Sequence, residues 1–173
     1  MILRRAITGF TLVCFLTTQT ASLAGPHDEG IAAVCAEAVG TMERALEITV
    51  DYLKQRKQFG VAIGSFQALQ HRAVDMLVMF EQARSMAYFA TMSVAEPETT
   101  KRAAAMSAAK VQIGRSARFV GEQAVQLHGG IGVTEECSVG HYYRRLTLIE
   151  ILFGDANHHL AQLARAGGLD SRT

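Results

Sequence analysis

Three stretches of this chain place small or apolar residues at intervals of three and four, the spacing that lines one face of an α-helix. The first runs through Val34, Ala38, Met42, Ala45, Thr49 and Tyr52. The second carries Leu69, Ala73, Met76, Phe80, Ala83, Ala87, Ala90 and Val94 in the same rhythm. The third is the most regular, with Met106, Ala109, Ile113, Ala117, Val120, Ala124 and Leu127. Many of these positions are alanine, so the helices can meet along long, straight contacts. No alternating strand pattern of any length accompanies them. The expectation is an all-α, four-helix-bundle-like, up-and-down domain with three long helices and a shorter C-terminal helical pair, Val139 to Phe153 and Ala156 to Arg165. The Met and aromatic stripes read as its core.

The punctuation between the stretches agrees. "QFGVAIGSF" carries Gly60 and Gly64 and separates the first helix from the second, where Ser65 is placed to cap the helix that follows. "AEPETT" separates the second from the third, with Pro97 suited to a first helical turn. At 173 residues the chain is one ordinary domain, and 49% hydrophobic against 19% charged residues argues against disorder. A formal charge of +1, with both signs mixed along the chain, gives no electrostatic footprint for nucleic acid. Cys14, Cys35 and Cys137 are odd in number and widely spaced, so neither a disulfide framework nor a zinc site follows, and they read as buried or idle thiols.

Residues 1–29 stand apart. Arg4 and Arg5 precede an apolar run from Ala6 to Leu16, and Ser22 and Ala24 are small residues suited to cleavage after Ala24. This reads as an export signal, or as a chance likeness at a misassigned start. The run is too short and too rich in Thr to span a bilayer, and the absence of paired cysteines downstream favours the cytoplasm. A helical domain from residue 30 to residue 166 follows, then a tail over 167–173.

One segment breaks the helical text. "QLHGGIGVTEE", from Gln126 to Glu136, sets Gly129, Gly130 and Gly132 within four positions. Either the backbone turns sharply there or something approaches it closely. It is not a phosphate loop of the Walker type, since no GK[ST] follows, and no strand precedes it as a dinucleotide fold requires. A helix C-terminal cap explains Gly129 and Gly130 as readily. Other chemistry is sparse. His158 and His159 are adjacent, so on a helix they diverge by about 100° and do not share a metal easily; both read as surface or capping residues. No HExxH, no carboxylate–histidine pairing for a di-metal bundle and no GxSxG is present, so neither a metal ligand nor a catalytic residue is assigned.

Taken in order, "RKQFG" (Arg56 to Gly60), "QLHGGIGVTEE" and "YRRLTLIEILFGDA" (Tyr143 to Ala156) make the chain resemble the C-terminal helical domain of the acyl-CoA dehydrogenases from about Gly30 to Ala166. The resemblance implies a bundle that builds the oligomer and contributes contacts to the pyrophosphate and adenosine of FAD held mainly by a neighbouring subunit. By position, Arg56 corresponds to the arginine at the pyrophosphate, Phe59 to its aromatic companion and Gln67 to a polar residue near the adenosine. Gln126, Gly129 and Gly130 correspond to the second pyrophosphate grip, where bare backbone N–H groups reach phosphate oxygens. A structural role is the competing account for each. The implied partners are further copies of the chain or a catalytic acyl-CoA dehydrogenase subunit, with acyl-CoA reached only through that partner.

The departures are equally specific. Complete members of the family are more than twice as long. Their usual catalytic glutamate falls on Phe153 here, with Gly154 and Asp155 following, and the alternative location falls at about Gly30. Neither position carries a carboxylate, and phenylalanine abstracts no proton. The ending "FGDANHHL" is similar to those of small subunits that pair with a catalytic partner. The isolated chain is expected to bind FAD weakly or not at all, to self-associate and to lack activity alone. A non-enzymatic docking module and an exported protein with an unrelated binding role are the alternatives.

Overall fold

The computed structural model describes residues 25–167; the signal-like segment through Ala24, Cys14 within it, and the residues after 167 lie outside the described residues. Five helices carry the fold: α1 (Pro26–Gln55), α2 (Gln67–Ser93), α3 (Thr99–His128), α4 (Ser138–Ile151) and α5 (Ala156–Arg165). Three long helices and a shorter pair is the expected count and order.

Cross-helix contacts give the directions. Arg72 reaches Gln123 and Gln112 reaches Gln82, so α2 runs against α3. Asp28 pairs with Arg102 and Tyr52 packs on His128, so α1 runs with α3. Gly121 faces Tyr143 while Lys110 meets Ile149, so α4 returns along α3. The result is the up-and-down arrangement, with α5 continuing past α4.

Local chemistry accounts for the helix ends. Pro26 opens α1 with Asp28 and Glu29 in its first turn, where a fixed φ and negative charge suit the positive end of the helix dipole. Asp28 also accepts from the buried Arg102, whose Nε lies 2.8 Å away and whose second nitrogen donates to the Glu96 carbonyl. That pair ties the start of α1 to the α2–α3 turn. α3 ends at Gly129, whose φ of +65° with ψ of −145° is a backbone conformation that L side chains rarely adopt and glycine tolerates.

The core follows the three stripes. Ala38, Met42 and Ala45 of α1, Met76, Ala83 and Ala90 of α2, and every residue of the third stripe are buried. Val139, Leu146 and Ile149 bring α4 into the same cluster. Each fully buried Met or Ile contributes about 1.5–3 kcal/mol, and the alanines let the helices approach closely enough to achieve that burial.

Two expectations need correction. Short strands do exist: β1 (Lys57–Gln58) pairs antiparallel with β2 (Val61–Ala62). Two residues per strand are too few to write an alternating pattern, and the turn between them is set by left-handed Phe59 and Gly60. Ser65 does not cap α2. Its hydroxyl donates to the Ala62 carbonyl at 2.7 Å, within the turn that precedes the helix, and Phe66 occupies the cap position.

Candidate functional site

Two helix ends meet at one pole of the bundle. The Tyr52 ring, near the end of α1, stacks on the His128 ring, the last residue of α3, with centroids 4.4 Å apart and planes 24° apart. Tyr52 Oη also donates to the His128 carbonyl at 3.4 Å. His128 is buried, and its Nδ1 donates to the Ala124 carbonyl at 2.8 Å, which fixes the proton on that nitrogen because a carbonyl only accepts. Burial holds its pKa below the ordinary histidine value, so the ring is neutral near pH 7.

This packing brings most of the sequence candidates to the same pole. Arg56 lies one turn past Tyr52 and ends α1; Gln126, Gly129 and Gly130 flank His128. All four are exposed. Phe59 stands at the tip of the β1–β2 hairpin, and Gln67 opens α2 just beyond it, also exposed. No hydrogen bond or ion pair joins the side chains of Arg56, Gln67 and Gln126 to each other or to any other described residue. An open groove of about 400 Å³ lies beside the pole, with Asp51, Tyr52, Gln55, His128 and Glu136 in its wall. None of the six candidates lines that groove.

Two of these positions are unusual. Phe59 holds φ at +54° while 91% of its surface is exposed. A bulky residue in the left-handed region is strained, and its ring meets that of the half-exposed Phe66 edge-on, with centroids 6.2 Å apart. The glycines divide by cause. A Cβ on Gly132 would lie 2.8 Å from the Val125 carbonyl oxygen, so packing demands that glycine. Gly129 needs its positive φ. Gly130 has neither constraint: its φ is ordinary and an added Cβ would meet open space.

The far end of α4 gathers the remaining candidates. A Cβ built on Gly30 would lie 2.6 Å from Phe153 Cζ, so the two positions where sequence reasoning looked for a carboxylate are neighbours in space. Phe153 holds φ at +61° and packs edge-on against His27, with centroids 5.6 Å apart. Asp155 caps α5, its Oδ1 accepting from the His158 N–H at 2.8 Å, a role that an aspartate just before "ANHHLAQLA" is suited to fill. His158 is exposed, but His159 is buried, which corrects the surface reading of that pair. The divergence of neighbours on a helix sends one ring outward and the other in. His159 Nε2 donates to the Phe153 carbonyl at 3.1 Å and Nδ1 lies 3.1 Å from Ser107 Oγ. Its pKa is held down, first by burial.

Sequence reasoning missed Lys110. It is 1% exposed, and Nζ donates to the carbonyls of Ile149 at 2.7 Å and Glu150 at 2.9 Å, capping the C-terminal end of α4 from α3. Burial lowers its pKa. The available signal was its place four residues after Met106 and three before Ile113, on the apolar stripe. Cys35 is buried, with its thiol pushed up to about 12 by desolvation, and so is inert at neutral pH. Among the described residues no group of three metal-ligating side chains occurs, and no helix is long and apolar enough to cross a membrane.

An antiparallel helical domain with an arginine that forms no ion pair among the described residues, a strained aromatic and an open glycine turn at one pole is the class that fold and site define. Over residues 28–168 the chain matches the family model described as acyl-CoA dehydrogenase, C-terminal domain. It belongs to the acyl-CoA dehydrogenase family. It is 36% identical over 147 residues to acyl-CoA dehydrogenase IpdE2 of Mycolicibacterium smegmatis, covering 85% of this chain and 45% of that protein. Among solved structures, a steroid ACAD described as Tcur3481-Tcur3483 superposes with a TM-score of 0.77 at 29% identity, over 84% of this chain and 40% of that one. PigA, solved with FAD and proline, gives 0.75 at 30% identity, over 84% and 37%. The chain thus spans less than half the length of these relatives.

Proposed function

We propose that this domain works in an FAD-dependent acyl-CoA dehydrogenase, presenting its Tyr52–His128 pole to the phosphate and adenosine end of FAD held by a neighbouring domain or subunit. The observation that carries this reading is Phe59. A strained aromatic residue that is almost wholly exposed has no return within the chain, and such residues persist where a ligand or partner uses them. Gly130 supports the same direction, since its missing side chain serves nothing inside the chain and leaves the backbone open to close approach.

The residues fit the group. Arg56 offers a fixed cation and forked N–H donors to a pyrophosphate, Phe59 a ring face beside it, and Gln126 a side-chain amide. Gly129 and Gly130 leave the main chain uncovered for phosphate oxygens, and Gln67 stands on the adenosine side. FAD, when bound, supplies the hydride acceptor for oxidation of an acyl-CoA CH–CH bond. This chain's share is binding and orientation: Gly30 and Phe153 leave it without a proton acceptor at the family's positions, so a partner subunit supplies the base and the acyl-CoA site. The same two residues favour, as the second reading, a docking domain that kept the pole and lost the chemistry.

Backbone amide NMR of the chain titrated with ADP tests the flavin reading. Shifts confined to Arg56, the Phe59 hairpin and Gln126 to Gly130, weakened about tenfold or more by Arg56→Gln, are expected for a charge-assisted contact worth about 1.5–3 kcal/mol. No shifts, or shifts indifferent to Arg56→Gln, would overturn it.

A further inference from the structure

The groove beside the pole gathers acceptors from three elements. His128 ends α3, Asp51 lies in the last turns of α1, and Glu136 stands just before α4; all three line it. His128 is the deepest of them, only 5% exposed. With its proton on Nδ1 and given to the Ala124 carbonyl, Nε2 carries a lone pair and can only accept. No donor among the described residues reaches that nitrogen. Among those residues no wholly buried side-chain polar atom lacks a partner, so Nε2 keeps an opening, and the groove is the opening that His128 lines. Asp51 and Glu136 are exposed and form no ion pair with any other described residue. Glu136 is held below the usual carboxylate range, first by its own backbone N–H, so it is charged at neutral pH. The N-terminus of α4 is the positive feature nearby, and Glu136 offsets it; the Asp51 charge is left over.

We infer that this groove binds a guanidinium group, the head of an arginine side chain on the flavin-bearing neighbour that the pole faces. A cation answers the two carboxylates, and an N–H donor answers the buried Nε2. A metal ion does not fit. Among the described residues no three metal-ligating groups stand close enough to share one, although His128, Asp51 and Glu136 all line the groove. Acceptors spread that widely suit a cation whose donors are spread over a plane. Guanidinium carries five N–H donors in one plane and stacks on aromatic rings, and Tyr52 is in the same wall. An ammonium concentrates its donors at one point and holds its water more tightly. Gln55 and Ser138 add side-chain oxygens to the wall. The inference rests on the proposed function only for the neighbour; the recognition itself uses none of Arg56, Phe59, Gln67, Gln126, Gly129 or Gly130.

Side-chain NMR of the chain, titrated with N-acetyl-L-arginine methylamide, tests it. Two controls separate the parts of the recognition. The citrulline analogue keeps N–H donors and lacks the charge; tetramethylammonium keeps the charge and lacks the donors. The arginine probe is expected to saturate with a dissociation constant on the order of millimolar, moving the ring-nitrogen resonance of His128 Nε2 and the carboxyl resonances of Asp51 and Glu136. Asp51→Asn/Glu136→Gln, at two exposed positions, should weaken that binding about tenfold or more, and each control should bind about tenfold more weakly or less. In a complex with a flavin-bearing acyl-CoA dehydrogenase subunit, the same double variant should weaken association about tenfold or more while leaving the helical circular dichroism unchanged. A His128 signal that the arginine probe leaves unmoved, or an equal response to either control, would overturn the proposal. So would an association indifferent to the double variant. The readouts are side-chain signals at Asp51, His128 and Glu136, so failure here is distinct from failure of the ADP titration at Arg56 and the Phe59 hairpin.

Discussion

The ring of Phe153 lies on the backbone of Gly30, so close that a single added methyl at position 30 would sit 2.6 Å from Cζ. One residue comes from the first turns of α1 and the other from the α4–α5 junction, and each is shaped to the other. Phe153 adopts its left-handed φ there with its carbonyl held by His159 and its ring edge against His27.

Gly30→Ala therefore forces the ring to move. The clash is with the tip of a side chain that is 39% exposed, so the ring can swing aside, and alanine's helix propensity, worth about 1 kcal/mol over glycine, offsets part of the loss. Phe153→Leu in the Gly30→Ala background should recover part of that loss, because a smaller side chain leaves room for the methyl. Urea denaturation of the two single variants and the double variant measures the coupling. Strict additivity would show that the contact is not shared.

Lys110 makes a second specific claim. Its ammonium is buried and donates to two carbonyls at the end of α4. Lys110→Met keeps the stem and removes the donors, leaving those carbonyls short of partners at about 1–3 kcal/mol. The measured quantity is the denaturation midpoint with α4 helicity followed in parallel. A variant as stable as the wild type would mean that the desolvation of the charge cancels what its hydrogen bonds contribute.

The bundle was readable because periodicity is a property of the sequence itself: Ala109, Ile113, Ala117 and Val120 write the α3 core stripe without help from the rest of the chain. The Asp155 cap was readable for the same reason, since it serves its own helix. What escaped depends on partners far along the chain. Lys110 acts on a helix some forty residues later, and His159 faces inward only because α3 and the Phe153 turn surround it. Ser65 failed as a cap because a turn too short to have a sequence pattern took its hydroxyl. At the Tyr52–His128 pole the motifs singled out the residues but not their states. That Gly132 is packed, Gly129 bent and Gly130 open is visible only once α3 and the loop are folded together.

The two buried histidines predict a direction with pH. Both His128 and His159 have folded-state pKa values below the unfolded one, chiefly through burial. The folded chain then binds fewer protons than the unfolded chain in the window beneath the unfolded pKa of about 6.5. Stability should be level above that pH and decline as pH falls below it. Melting temperatures between about pH 7.5 and 5.5 measure this, and His128→Asn/His159→Gln should flatten the decline relative to wild type, whatever its absolute stability. A wild-type curve that rises on acidification would contradict the burial argument.

Asp155 sits two residues past Phe153 and is the nearest carboxylate by sequence to the position where the family carries its base. Its Oδ1 is occupied by the His158 N–H at 2.8 Å, and a cap needs only an acceptor oxygen. Asparagine supplies that oxygen but cannot take up a proton under any working condition. Asp155→Asn should therefore fold within about 0.5 kcal/mol of the wild type, whereas Asp155→Ala should lose about 1 kcal/mol. In a complex reconstituted with a flavin-bearing acyl-CoA dehydrogenase subunit, turnover should survive Asp155→Asn and vanish on removal of the partner's own glutamate base. Misplacement of a base by about 1 Å already costs about a hundredfold, and the backbone reversal at Gly154, with φ at +103°, turns Asp155 toward α5. If Asp155→Asn abolished turnover while leaving the melting curve unchanged, Asp155 would be the proton acceptor and the cap only its support.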